Sequence, residues 1–145
     1  MIRLEHVSKT FFTKDGIVEA LRDVSLELPS KGLIALCGEN GCGKTTLLNV
    51  ISTFLSDYSG AVYIDNLEIS HHTDYVRSEL VSYVLQDDFF VNSMTLADTL
   101  FLEKADESCV DSELARFRIS DKKQKHPTEL SGGQRQRASF IRGCL

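Results

Sequence analysis

An α/β fold is predicted by three observations on this sequence. Leu33-Ile34-Ala35-Leu36-Cys37 is a continuous apolar run, the pattern of a strand covered on both faces in a parallel sheet. Gly38-Glu39-Asn40-Gly41-Cys42-Gly43-Lys44-Thr45 follows without a gap and fits G-x-x-x-x-G-K-[ST]. Thr45 to Phe54 then reads as a helix with Leu47, Leu48, Ile51 and Leu55 on one stripe. Strand, glycine-rich turn and helix, in that order, form the unit that binds phosphate groups in P-loop folds.

The remaining elements follow in chain order. Ile2 to Val7 is extended, and Val24-Ser25-Leu26-Glu27-Leu28 alternates with period two, so an antiparallel β layer is expected at the N-terminus. Pro29-Ser30-Lys31-Gly32 marks a turn. Ala61-Val62-Tyr63-Ile64 reads as a strand and Asp65-Asn66 as its turn. His71 to Leu80 reads as a short polar helix with its loop, and Val81-Ser82-Tyr83-Val84-Leu85 as another strand ending at Gln86. From Thr95 the pattern turns helical. One segment starts at Thr95 and carries Leu96, Leu100 and Phe101; a second spans Asp111 to Phe117; a third starts at Ser131 with Ala138, Ile141 and Leu145 on one stripe.

A chain of 145 residues fits one domain. The formal charge of −5 disfavours a nucleic-acid partner gripped by a broad basic face. No apolar run approaches the ~20 residues that span a bilayer, and Met1 to His6 lacks the apolar core of a signal peptide, so a cytoplasmic chain is expected. The four cysteines, Cys37, Cys42, Cys109 and Cys144, form no C-x-x-C pair and are expected to be free thiols. His71-His72 lacks a surrounding ligand set. Lys122-Lys123-Gln124-Lys125-His126 and Asp87-Asp88 read as solvated surface.

The glycine-rich loop turns backbone into an anion receptor. Successive N–H groups at the loop and at the start of the next helix point at a phosphate, and the glycines allow that close path. Lys44 supplies a cation to the β- and γ-phosphates, the Thr45 hydroxyl can ligate Mg²⁺, and Thr46 lies near the α-phosphate. The loop residues Gly38, Glu39, Asn40, Gly41, Cys42 and Gly43 supply the amides. Cys42 fills a permissive loop position.

A second phrase, Leu130-Ser131-Gly132-Gly133-Gln134, combines an S-x-x-Q capping box with two glycines at a helix start. Each glycine costs about 1 kcal/mol against Ala in a helix, which suggests close approach of something to the backbone. With both phrases in order, the chain resembles the nucleotide-binding domains of ATP-binding cassette (ABC) transporters. Gly38 to Thr46 is similar to their Walker A motif, and Leu130 to Gln134, continuing into Arg135-Gln136-Arg137, to their signature motif. Gln86 matches the family's Q-loop glutamine, and Phe11 falls where the family has an adenine-stacking aromatic, with Phe12 beside it as the alternative.

The resemblance implies a P-loop NTPase core with a mainly parallel sheet, an antiparallel β N-terminal layer and a helical signature subdomain. Within a partial domain spanning 1–145, residues 1–86 would be the ATP-binding core and 87–145 the helical subdomain with the signature helix. It implies ATP and Mg²⁺ as cofactors, Thr45 and Gln86 at the metal, a transmembrane transporter subunit as partner, and a second nucleotide-binding domain paired head to tail. In that pair, Ser131, Gly132, Gly133 and Gln134 grip the γ-phosphate held by the other copy. Gly16 to Leu28 looks most like exporter-type or lipoprotein-releasing members. The rivals are a soluble ABC-type ATPase acting on ribosomes or DNA, and a non-hydrolysing nucleotide-binding regulatory module. The short span from Gln86 to Ser131 disfavours the coiled-coil DNA-repair type.

The family's next strand, with its magnesium-supporting Asp and catalytic Glu, and its switch His find no match before Leu145. The chain therefore reads as truncated before the Walker B strand, with unpaired edges expected on Leu33–Cys37. On this reading the chain binds ATP and hydrolyses it negligibly, since a missing general base costs about 10²–10⁴ in rate. Clear ATP turnover by the purified chain, abolished by Lys44→Ala, would refute this.

Overall fold

The structure is a computed structural model that describes residues 1–85, 90–103 and 105–145. It divides into two compact units, Met1–Val81 and Ser82–Leu145.

The first unit is built on a long hairpin. Strand β1 (Ile2–Thr13) turns through Lys14-Asp15 into β2 (Gly16–Leu28), and the Thr13 hydroxyl donates to the Gly16 carbonyl at 2.9 Å. The two strands pair antiparallel with a register shift between Leu4 and Val7. His6 and Asp23 both take positive φ at this irregularity. Side chains replace the lost ladder bonds there: the His6 amide donates to Ser25 Oγ at 2.9 Å, the Asp23 amide donates to Ser8 Oγ at 2.8 Å, and His6 Nδ1 lies 2.7 Å from the Asp23 carboxylate.

Helix α1 (Lys44–Ile51) follows the glycine-rich loop and buries Leu47, Val50 and Ile51. Strand β3 (Ser59–Ile64) then pairs antiparallel with the other edge of β1. A two-residue turn at Asp65-Asn66, both left-handed, returns as the short β4 (Leu67–Glu68). The sheet order is β2-β1-β3-β4. Leu4, Val7, Leu21, Val62, Ile64, Ile69 and Val76 close the core over α1, so alternation along the strands becomes one apolar face. Helix α2 (Thr73–Tyr75) continues as a wider turn through Val76–Leu80.

In the second unit, α3 (Leu96–Phe101), α4 (Glu107–Arg116) and α5 (Gly132–Cys144) surround Leu96, Leu100, Val110, Leu114, Ile119, Leu130, Ala138 and Ile141. Each helix is started by a side chain. Thr95 and Asp98 form a reciprocal box at α3, and Asp106 accepts from the Cys109 amide at 2.7 Å at α4. Ser131 and Gln134 form the box the sequence predicts at α5: the Ser131 amide donates to Gln134 Oε1 at 2.8 Å and the Gln134 amide donates to Ser131 Oγ at 3.4 Å.

The antiparallel N-terminal layer and the helical subdomain form as expected, and three single-element expectations need correction: Leu33–Cys37, Val81–Leu85 and Leu48. Every ladder among the described residues is antiparallel and belongs to the N-terminal layer. Leu33–Cys37 joins no sheet: Leu33 is fully exposed, and Ile34, Leu36 and Cys37 are exposed as well. A parallel strand gains its ladder from segments brought alongside by crossover connections, and none of the described residues lies there. Val81–Leu85 likewise joins no sheet; Ser82 and Val84 pack instead against Gly143 of α5, where a Cβ would meet Val84 Cγ2 at 2.7 Å. Leu48 points away from the core, because the buried stripe of α1 passes through Leu47 and Val50.

Two helix caps make the second unit acid-sensitive. Bonds from the Thr95 hydroxyl and then the Thr95 amide hold the Asp98 carboxyl below the usual range, and bonds from the Cys109 amide and then the Ser108 hydroxyl do the same for Asp106. With folded-state values depressed, the caps contribute fully above the unfolded value of about 3.9 and lose that contribution as pH falls through the lower folded values. A variant combining Asp98→Asn and Asp106→Asn is expected to show a shallower fall of Tm between pH about 4 and 2 than the wild type, followed by circular dichroism. Parallel acid limbs would show that the caps contribute nothing.

Candidate nucleotide-binding site

The glycine-rich loop is held from below. Gly43 ends it at φ +93° and starts α1, and a Cβ there would lie 2.2 Å from the Ala20 carbonyl oxygen and 3.3 Å from Leu21 Cδ2. Only a residue without a side chain lets the helix N-terminus sit directly on the β2 backbone. At the other end, a Cβ on Gly38 would lie 2.7 Å from Cys42 Sγ, so the Cys42 thiol closes across the loop toward Gly38. Glu39, Asn40, Gly41 and Cys42 form the exposed rim.

The N-terminus of α1 differs from those of α3, α4 and α5. No side chain caps it, and its first turn contains no acidic residue. Its leading N–H groups therefore keep donor capacity, and the partial positive charge of the helix end is not neutralised locally. Lys44 adds a full charge at the same place. Its ammonium donates to the carbonyls of Gly38 at 2.9 Å and Glu39 at 2.6 Å and lies 3.6 Å from Cys42 Sγ. The cation is thus centred over the loop by neutral acceptors. A phosphate oxygen adds a full negative charge that these neutral carbonyls lack, so an anion can draw the ammonium off them.

Thr45 is exposed in the first turn, and Thr46 is half-buried beside it. Mg²⁺ takes one or two protein ligands together with phosphate oxygens and water, so the Thr45 hydroxyl fits that role. Gln86 and its neighbours Asp87 and Asp88 lie outside the described residues.

Phe11 is half-buried on β1, opposite Val18 on β2; Phe12 points to the other face and is 82 % exposed. Phe11 is two residues along β1 from Lys9, whose partner on β2 is Leu21, the residue that backs Gly43. An aromatic ring therefore lies about 7 Å along the strand from the seat of the phosphate loop. Sequence reading missed Ala20, Leu21 and Lys9 as parts of this site. The signal for Lys9 was present in the alternation Val7, Lys9, Phe11, which puts a cation on the inward face.

In the second unit, Ser131, Gly132 and Gly133 are exposed at the start of α5 and Gln134 is half-buried. Among the described residues, a Cβ on Gly132 or Gly133 would meet nothing within 4 Å. The packing of the described residues therefore demands neither glycine, and the backbone of both is exposed.

A phosphate-accepting loop on an uncapped helix, seated on a β layer, defines a P-loop nucleotide-binding domain. A family model described as ABC transporter matches residues 21–145. The chain belongs to the ABC transporter family. It is 34 % identical to the methionine import ATP-binding protein MetN of Cutibacterium acnes over 97 % of its own length and 42 % of that protein's. It is 31 % identical to a methionine import ATP-binding protein of Staphylococcus aureus, covering all of this chain and 46 % of that one. The chain thus spans about half the length of the curated relatives it matches. Among solved structures, a dimeric bacterial ABC transporter cassette, MJ0796, superposes with TM-score 0.85 at 25 % identity, over 99 % of this chain and 68 % of that one.

The two sets of glycines make opposite predictions. Gly43→Ala places a methyl into the Ala20 carbonyl at a positive φ and should cost more than about 1–3 kcal/mol, read as a large fall in Tm. Gly132→Ala has open space and should leave Tm unchanged or slightly higher. Equal Tm values for Gly43→Ala and wild type would overturn the seating of the loop on β2.

Proposed function

We propose that this chain binds MgATP at Gly38 to Thr46 and forms the nucleotide-binding part of the ATP-binding subunit of an ABC transporter. The observation that carries this is the uncapped N-terminus of α1, with the Lys44 ammonium poised over it. The loop amides and Lys44 hold the β- and γ-phosphates, Thr45 takes Mg²⁺, and Phe11 supports the base. Gln86 assists at the metal and the attacking water.

The full subunit works as an ATPase paired head to tail with a second copy. Gly132 and Gly133, open on the surface of α5, then receive the γ-phosphate held by the partner copy, capped by Ser131 and Gln134. Loss of that phosphate on hydrolysis removes the bridge and releases the pair. The release drives movement of a transmembrane partner from the cytoplasmic face of the membrane. Among the described residues, no helix is long and apolar enough to cross a membrane. The names of the methionine import relatives favour uptake, whereas Gly16 to Leu28 alone resembled export-type members.

Thermal melting tests nucleotide binding directly. MgATP at about 100 times Kd should raise the stability of the wild-type chain by roughly 2.7 kcal/mol. Lys44→Ala should remove most of that shift while keeping the ligand-free Tm, because the ammonium bonds are exposed and local. No shift in either protein would end the assignment.

A further inference from the structure

We propose that Lys9 is a positioning residue for the nucleotide base, acting through Phe11. The inference rests on the reading of Phe11 as the base support.

Lys9 is unusual for a surface-sheet lysine. Its side chain is 7 % exposed, while its partner Asp57 is 95 % exposed. Its ammonium donates to Asp57 Oδ2 at 2.8 Å and stands 4.9 Å from the centroid of the Phe11 ring. Burying an ammonium costs free energy unless it is paired and its charge is used. Among the described residues it is paired once, to a carboxylate on the segment that follows α1, and its charge faces an aromatic ring. A cation within about 6 Å of a ring face is attracted by the ring's quadrupole. The contact fixes one face of Phe11 against β1 and draws electron density toward the ammonium. The opposite face is then the one left for a planar, electron-rich base. Asp57 holds the ammonium in place, which ties the ring's position to the end of α1 and so to the helix whose start holds the phosphates. Lys9 and Asp57 thereby set the spacing between base support and phosphate seat.

A general electrostatic role would be felt by the phosphates alone, and this separates the two explanations. Affinities of the full chain for MgATP and for magnesium tripolyphosphate, which has the phosphates without a base, are measured by calorimetry. Wild type is expected to prefer ATP. Lys9→Met keeps the buried stem and loses the charge; it should weaken ATP about 3- to 10-fold and leave tripolyphosphate unchanged, which also shows that the loop is folded. Lys9→Arg should restore the preference, and Asp57→Asn, at an exposed position, should reduce it part of the way. An unchanged ATP preference in Lys9→Met and Asp57→Asn overturns the proposal, as does equal weakening of both ligands. A wild type without any ATP preference would instead overturn the reading of Phe11.

Discussion

The contact on which the site depends is the one between Gly43 and the backbone of Ala20. It brings the first turn of α1 onto the β1–β2 hairpin with no side chain between them. A helix end placed that way cannot be capped by its own preceding residue, because the preceding residue has nothing to cap with. Its N–H groups and its partial charge are left to an outside anion. The apolar stripe of Leu47, Val50 and Ile51 then anchors the helix from behind, so the donors are held rigidly by a core they do not belong to. The phosphate seat is therefore a product of packing as much as of glycine content.

The start of α5 solves the same problem differently. There Ser131 and Gln134 satisfy the end reciprocally, and the two glycines between them leave bare backbone facing outward. One helix start keeps its donors for a ligand by lacking a cap. The other is capped by its own side chains and leaves its first-turn backbone exposed.

Local chemistry was legible wherever a short stretch decides its own conformation. The Asp65-Asn66 turn, the Thr95 and Ser131 helix starts, and the loop from Gly38 to Lys44 all follow from propensities acting over a few residues. Buried periodicity was legible where the element packs on one face, as with Leu96 and Leu100 or Ala138 and Ile141. Leu33–Cys37 and Val81–Leu85 were read as strands because apolar runs look alike whether or not neighbours exist. A strand's ladder belongs to the partner segment, and sequence pattern says nothing about which segment arrives. Leu48 was misplaced by one helical step, since a stripe of apolar residues wider than the buried face leaves the rotation undetermined.

The sequence by itself determined that a glycine-rich loop of the phosphate-binding pattern sits between an apolar run and a helix, and that a second glycine pair opens a later helix behind a capping box. Those are matters of residue type and spacing, which local backbone chemistry reads directly. Only the tertiary structure decided that Gly43 rests on Ala20, that Phe11 rather than Phe12 shares the face of Lys9, and that Lys9 is buried against Asp57. These join positions from 9 to 57, and such long-range contacts are set by sheet register and helix packing, which no local pattern contains.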